Sequence, residues 1–241
     1  MQSLEAELER AQGLDIADIA DAIESIGFEC TRCGACCKAE ADDPHTATVF
    51  PDEVRDLEDA TDYDWRDVAR PMPYGLDGGE SDGGGGSDGE PTGETFEWAL
   101  QTDACGDCAF YEEADDGTGA CSVHGDRPLI CETYPFSVGL GGTSQPMGEA
   151  VDSVALGAQR KAGETGDEEG VVRAHECEGL GRDISREDAE DLAAALKERA
   201  VRELAEAIAV RDEYEPTDPD GGVVVHDSEG AKRPDGSAYD G

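Results

Sequence analysis

Four cysteines fall within eight residues of this chain, as Cys30-x-x-Cys33-x-x-Cys36-Cys37 in the stretch FECTRCGACCK. Thiolates crowded in this way repel one another and oxidise readily unless a cation holds them. Zinc takes four thiolate or imidazole ligands, and iron–sulfur clusters are held by thiolates, so the pattern points to one of these two. Two-residue gaps let successive sulfurs turn back toward one centre, and Gly34 eases the bend between them. Cys36 and Cys37 behave differently. Adjacent side chains diverge, so the two do not ligate one ion with equal geometry. One of them serves a second metal, bridges, or stays a reactive thiol.

Five further cysteines stand at positions 105, 108, 121, 131 and 177. Cys105-x-x-Cys108 fits a zinc knuckle, a redox dithiol or chance. Cys121 and Cys131 alone would read as small buried hydrophobes. Beside so many other thiols they read as ligands. Cys177, in HECEGLG, is a ligand candidate that rests on spacing alone. His124 and His175 lie three and two residues from a cysteine. Each is open to two readings, a neutral imidazole ligand or a surface histidine. His45 and His226 have no context that gives them a site role.

The elements that must position these residues are short. Residues 3–11 and 15–26 read as helices. In the second, Ile16, Ile19, Ile23 and Ile26 make one apolar face, and Gly27 is suited to end it. That helix delivers the chain straight into the cysteine run. Residues 45–50 (HTATVF) suit a strand, and Pro51 suits the first turn of a helix to about Asp59. A second helical piece runs from Asp64 to Ala69, stopped by Pro71 and Pro73. Residues 75–93 contain nine glycines in nineteen positions, with Asp, Ser and Glu between them. Such a segment cannot bury apolar area and reads as a flexible acidic insertion. Residues 94–102 alternate apolar and polar, as a half-buried strand does. Residues 156–170 read as another polar loop. From Ser185, with a capping-box Asp188, a long helix carries Leu192, Leu196, Ala200, Leu204 and Ile208 at four-residue intervals to about Tyr214.

Composition narrows the classes. Eighteen Lys and Arg stand against fifty-nine Asp and Glu, a formal net charge of −41. From Pro71 to Asp126 there is no Lys or Arg and there are fourteen Asp or Glu. Acidity spread over the whole chain reads as the surface chemistry of a halophilic protein. Its self-repulsion is screened at molar salt, where the Debye length is about 3 Å. The alternative is a docking surface for a basic partner. With no Lys/Arg cluster, nucleic-acid binding is not expected. No stretch reaches eighteen apolar residues, and no basic segment precedes an apolar run at the start, so neither a membrane span nor a secretory leader is expected. The expected location is cytoplasmic. Thiols there stay reduced, which disfavours a disulfide framework, as does the odd number of cysteines.

The segments FECTRCGACC, CAFYEE and GACSVHGDRPLICETYPF together resemble the YkgJ-like cysteine-cluster family, a zinc- or iron-chelating, iron–sulfur-protein-like group. The late Cys177-Glu178-Gly179-Leu180-Gly181 resembles a Cys-x-Gly-x-Gly found in some of its members. The likeness covers roughly residues 26–181. It implies a ligand set of Cys30, Cys33, Cys36, Cys37, Cys108, Cys121, Cys131 and Cys177, and it implies no particular reaction. Glu132 stands where the family commonly has Arg, so no cationic shell around the cluster is implied there. Cys105 is extra to the pattern.

The expected fold is α+β, with a small irregular metal-centred core, short strands, helices at both ends and long acidic loops. The expected divisions are N-terminal helices at 1–29, a cysteine-cluster domain at 30–181 with the 75–93 insertion, a C-terminal helix at 182–215 packed on the core, and a flexible acidic tail at 216–241. The expected function is metal binding through cysteine thiolates, with zinc or an iron–sulfur cluster as the bound group and the metal ion as the partner. Thiolate-only ligation in a C-x-x-C-x-x-C run leans toward iron–sulfur. The alternatives are an iron–sulfur-dependent enzyme of redox or methyl-transfer type and a metal-dependent assembly factor. No nucleotide-binding G-x-G-x-x-G, paired His/Glu set or radical-SAM spacing supports an enzyme. No protein partner is indicated.

Overall fold

A computed structural model describes residues 2–39, 44–77, 91–146, 149–156, 170–217, 219 and 221–239. The fold is α+β. Backbone contacts divide it into two units. Unit 1 comprises residues 1–36, 112–120 and 129–207; unit 2 comprises 37–111, 121–128 and 208–241. Most of the Gly-rich insertion (residues 78–90) and of the polar loop read at 156–170 lie outside the described residues. No helix of the described residues is long and apolar enough to cross a membrane.

Unit 1 is built on four helices, one of them short, and a sheet. Helix α1 (Leu4–Gln12) starts at Ser3, whose hydroxyl accepts from Ala6 N at 3.3 Å. Helix α2 (Ile16–Ile26) starts at Asp15, whose carboxylate accepts from Ala17 N and Asp18 N at 2.8 and 3.3 Å. Both side chains satisfy amide groups that a first helical turn leaves open. The short helix α5 (Leu129–Thr133) leads into strand β7 (Phe136–Val138). This strand pairs with β9 (Val172–His175), and β9 with β8 (Ala150–Val154), all antiparallel. The long helix α6 (Arg186–Glu213) follows. Ile19 and Ile23 of α2, Phe136 and Val172 of the sheet, and Ala193, Leu196 and Leu204 of α6 form one buried core.

A buried guanidinium ties this unit together. Arg199 on α6 is 2 % exposed. It reaches Glu203 Oε1 at 2.8 Å, Thr133 Oγ1 at 3.0 Å, Phe136 O at 3.3 Å and Ser144 O at 3.0 Å. Burial of a charge is tolerated because its donors are satisfied and a carboxylate neutralises it. The consequence is that α5 and the start of β7, which carry Cys131 and Tyr134-Pro135, are anchored to the longest helix.

Unit 2 holds two small sheets. Strand β4 (Trp98–Leu100) pairs antiparallel with β1 (Thr48–Val49) and β2 (Ala69–Pro71). Helices α3 (Pro51–Ala60) and α4 (Trp65–Val68) lie between β1 and β2 in the chain, with Pro51 in the first turn as expected. Strand β3 (Gly93–Thr95) pairs parallel with β10 (Val223–Asp227), which turns back into β11 (Gly230–Lys232). Residues 94–102, read from sequence as one strand, therefore split into two that serve different sheets. The hairpin β5 (Tyr111–Glu113) to β6 (Gly119–Cys121) completes the strands, with residues 112–120 in unit 1 and Tyr111 and Cys121 in unit 2.

The structure corrects the expectation of a flexible tail at 216–241. Val224, Val225, His226 and Asp227 are buried in β10. Three consecutive valines favour a strand, and three polar anchors fix it. Trp98 Nε1 donates to Asp227 Oδ2 at 2.8 Å. Glu94 accepts from Thr217 N and Oγ1, both at 2.8 Å, and lies 2.8 Å from His226 Nε2. Lys232 sits over the Trp65 ring at 5.6 Å. His226 is thus a core histidine, stacked on Phe96.

Candidate metal centre

The site in unit 1 starts where α2 ends. Gly27 has φ 79°, and a Cβ there would lie 2.4 Å from Arg182 O. Glycine is required on both counts, by the left-handed backbone and by the approach of a second chain segment. That second segment is Cys177–Arg182. Phe28 forms an antiparallel bridge with Leu180, Glu29 N donates to Gly179 O at 3.0 Å, and Gly181 N donates to Gly27 O at 3.0 Å. Gly179 is as constrained as Gly27, since a Cβ would stand 2.3 Å from Glu29 O. Two glycines thus let the strand entering Cys30 lie directly against the strand leaving Cys177, although 147 positions separate them in sequence (177 − 30). The Phe28 ring meets Phe136 edge-on at 5.8 Å, which fixes this pair on the core.

The loop that follows bends sharply. Arg32 has φ 59° and Gly34 φ 77°. Two left-handed residues flanking Cys33 turn the chain back on itself, and Arg32 O is pinned by Gly119 N at 2.8 Å. An L side chain in that region costs about 1–2 kcal/mol, so Arg32 is strained by the loop it closes. A single 3-10 turn, Ala35–Cys37, ends the run. Cys30 and Cys36 are exposed, and Cys33 and Cys177 are half-buried.

The other three sulfurs bear on Cys177. Burial pushes the Cys177 thiol up from its ordinary value, opposed by the hydrogen bond from Gly179 N at 3.4 Å, and the charges of Cys33, Cys36 and Cys30 push it further up. Burial likewise raises the Tyr134 hydroxyl, and Cys177, Cys36 and Cys33 add to the effect. Tyr134 Oη donates to Glu176 O at 2.5 Å, and His175 N donates to Pro135 O at 2.9 Å, so this tyrosine holds the strand from which Cys177 emerges. Tyr134, within the segment GACSVHGDRPLICETYPF, has no role assigned from sequence; the available signal is its position between two cysteine-bearing segments. A cation among the four thiols would reverse these repulsions and deprotonate the sulfurs.

The remaining expected ligands divide between the units. Cys131, on α5, belongs to unit 1 and is half-buried; Cys37, Cys108 and Cys121 belong to unit 2. Cys105 is also in unit 2 and is exposed. His175 is buried rather than on the surface, and its Nε2 lies 2.9 Å from Ser137 Oγ. His124 is exposed in a 3-10 turn. Among the described residues, no three His, Cys, Asp or Glu side chains already stand close enough to hold an ion. Binding must draw the thiols inward. The donor set itself fits a soft or borderline metal, all sulfur with a partly desolvated member.

An α+β protein with a cysteine run on a glycine-bent loop defines a cysteine-rich chelating class. The family model described as CxxCxxCC, putative zinc- or iron-chelating domain, matches residues 29–178, and the chain belongs to that family. No curated protein and no solved structure matches the chain.

Proposed function

We propose that this protein binds a metal through cysteine thiolates, with Cys30, Cys33, Cys36 and Cys177 as the ligands of a centre in unit 1 and an iron–sulfur cluster as the bound group in preference to zinc. The backbone pairing of Phe28 and Glu29 with Gly179 and Leu180 carries the reading. It lays the entry to a three-cysteine loop against the segment that leaves a fourth thiol, Cys177, far away in the sequence. A thiolate-only donor set in a C-x-x-C-x-x-C run supports iron–sulfur. In this setting the metal would supply cross-linking of two chain segments, and its ligands would hold it at the surface through the exposed Cys30 and Cys36. The −41 charge and the missing basic cluster favour a cytoplasmic protein of halophilic type that does not bind nucleic acid.

Anaerobic purification in molar salt tests this. A brown protein containing iron and acid-labile sulfide is expected. A colourless protein with stoichiometric zinc would keep thiolate chelation and reject the cluster. Folded protein without metal, unable to take up either, would reject the function.

A further inference from the structure

The family pattern treats Cys36 and Cys37 as one run, but the fold does not. Cys36 ends the first segment of unit 1, and Cys37 opens unit 2. Both lie in the 3-10 turn Ala35–Cys37, where successive side chains are about 120° apart around the axis. Two sulfurs so placed point apart. Cys37 is tied to the turn that carries Cys108, because its carbonyl accepts from Cys108 N at 2.8 Å.

A second bond reinforces that junction: Ala39 N donates to Asp107 Oδ1 at 2.8 Å. The 37–39 stretch thus lies along the turn that carries Cys108. The turn itself is rigid. Asp103 Oδ1 accepts from Cys105 N at 2.7 Å and from Asp107 N at 3.1 Å. Asp103 N donates to Asp107 O at 2.8 Å, and Gly106, at φ 86°, donates to Asp103 O at 3.1 Å. Such an Asx-closed loop with one left-handed glycine holds the ends of a C-x-x-C close together. Cys108 is 6 % exposed. Two residues on, Phe110 O accepts from both Ser122 N at 2.9 Å and Ser122 Oγ at 3.3 Å, which brings the neighbouring Cys121 to the same loop. Bonds internal to unit 2 therefore join the segments that carry Cys37, Cys108 and Cys121. The unit's one further thiol, Cys105, shares the turn with Cys108.

We propose that unit 2 carries a second thiolate metal centre founded on Cys37, Cys108 and Cys121, separate from the centre of Cys30, Cys33, Cys36 and Cys177. It takes the same class of ligand, a soft or borderline cation such as zinc or iron, and releases thiol protons on binding. The inference rests on the thiolate-chelation reading above. Its particular content is that two adjacent cysteines serve different ions.

Metal-free full-length protein, reduced and anaerobic in molar salt, is titrated with Co²⁺ while the thiolate-to-cobalt charge-transfer band is followed. The wild type takes up about two equivalents, as two sulfur-rich sites require. Cys36→Ser and Cys37→Ser each lose about half of the band, and the double variant loses nearly all of it. Cys108→Ser behaves as Cys37→Ser does, and Cys177→Ser as Cys36→Ser does. If Cys37→Ser elutes as aggregate, Cys121→Ser gives the same reading. A wild type that saturates at one equivalent overturns the second centre while leaving chelation intact, and so does a Cys37→Ser or Cys108→Ser protein that keeps the full band. A wild type that binds no cobalt overturns both.

Discussion

Gly179→Ala is the sharpest probe of how the unit 1 site is assembled. The new Cβ would stand 2.3 Å from Glu29 O and 3.0 Å from Phe28 Cε2, so one strand must move away from the other. Two backbone hydrogen bonds join these strands, Glu29 N to Gly179 O and Gly181 N to Gly27 O, each 3.0 Å long. Losing both costs about 2 kcal/mol at roughly 1 kcal/mol each. If that cost falls on the conformation that presents Cys177 to Cys30, metal affinity drops about thirty-fold, since 1.4 kcal/mol is tenfold. Gly181→Ala is the matched control. Gly181 has φ 75° but nothing within 4 Å of a Cβ, so it carries backbone strain without the clash. Affinities come from competition with a chelator in molar salt, and the metal-free proteins are compared by thermal denaturation. An affinity of Gly179→Ala within about threefold of the wild type would refute the idea that this strand contact presets the ligands.

Other outcomes follow from the same structure. Arg199→Met leaves the Glu203 carboxylate, 8 % exposed, without its guanidinium and should cost about 3–5 kcal/mol in denaturant unfolding, most of it recovered by a further Glu203→Leu. Replacing Gly78–Gly89 with two glycines should leave metal content unchanged and the melting temperature within about 3 °C, because Asp77 and Thr92 already pair through bonds of 2.8 and 2.9 Å and loop-closure entropy varies slowly with length. Desolvation raises the Glu94 carboxyl, but its four donors (Thr217 N and Oγ1, His226, Tyr214) outweigh it and bring the value down to about 2 from the usual 4.5. A lowered carboxylate stabilises the fold above 4.5 and loses that contribution as pH falls toward 2. The stability difference between the wild type and Glu94→Gln should therefore shrink between those two pH values. A constant difference would mean that the carboxylate charge is irrelevant to the lock on β10.

Much of this architecture is legible in the sequence where periodicity or capping is strong. The isoleucine face of α2, Pro51 at the start of α3 and the leucine row of α6 appear within a residue or two of where the pattern puts them. The cysteine run stands out from spacing, and Cys177 from family likeness. What escaped reading depends on long-range pairing. The strand β10 looks like part of a polar tail until Glu94 and Trp98, more than a hundred positions away, give it partners. The break between β3 and β4 is invisible to alternation, because Phe96, Trp98 and Leu100 keep the two-residue spacing across it while the two strands join different sheets. The bond from Cys108 N to Cys37 O likewise joins segments that no local pattern pairs.

Metal K-edge absorption on the anaerobically purified protein addresses the central claim most directly. The account predicts a first shell of sulfur alone, at about 2.3 Å, with a short metal–metal distance if the group is an iron–sulfur cluster. Substituting Cys177 by serine should replace part of that sulfur shell with oxygen. A shell of nitrogen and oxygen in the wild-type protein, or one that Cys177→Ser leaves untouched, would contradict it.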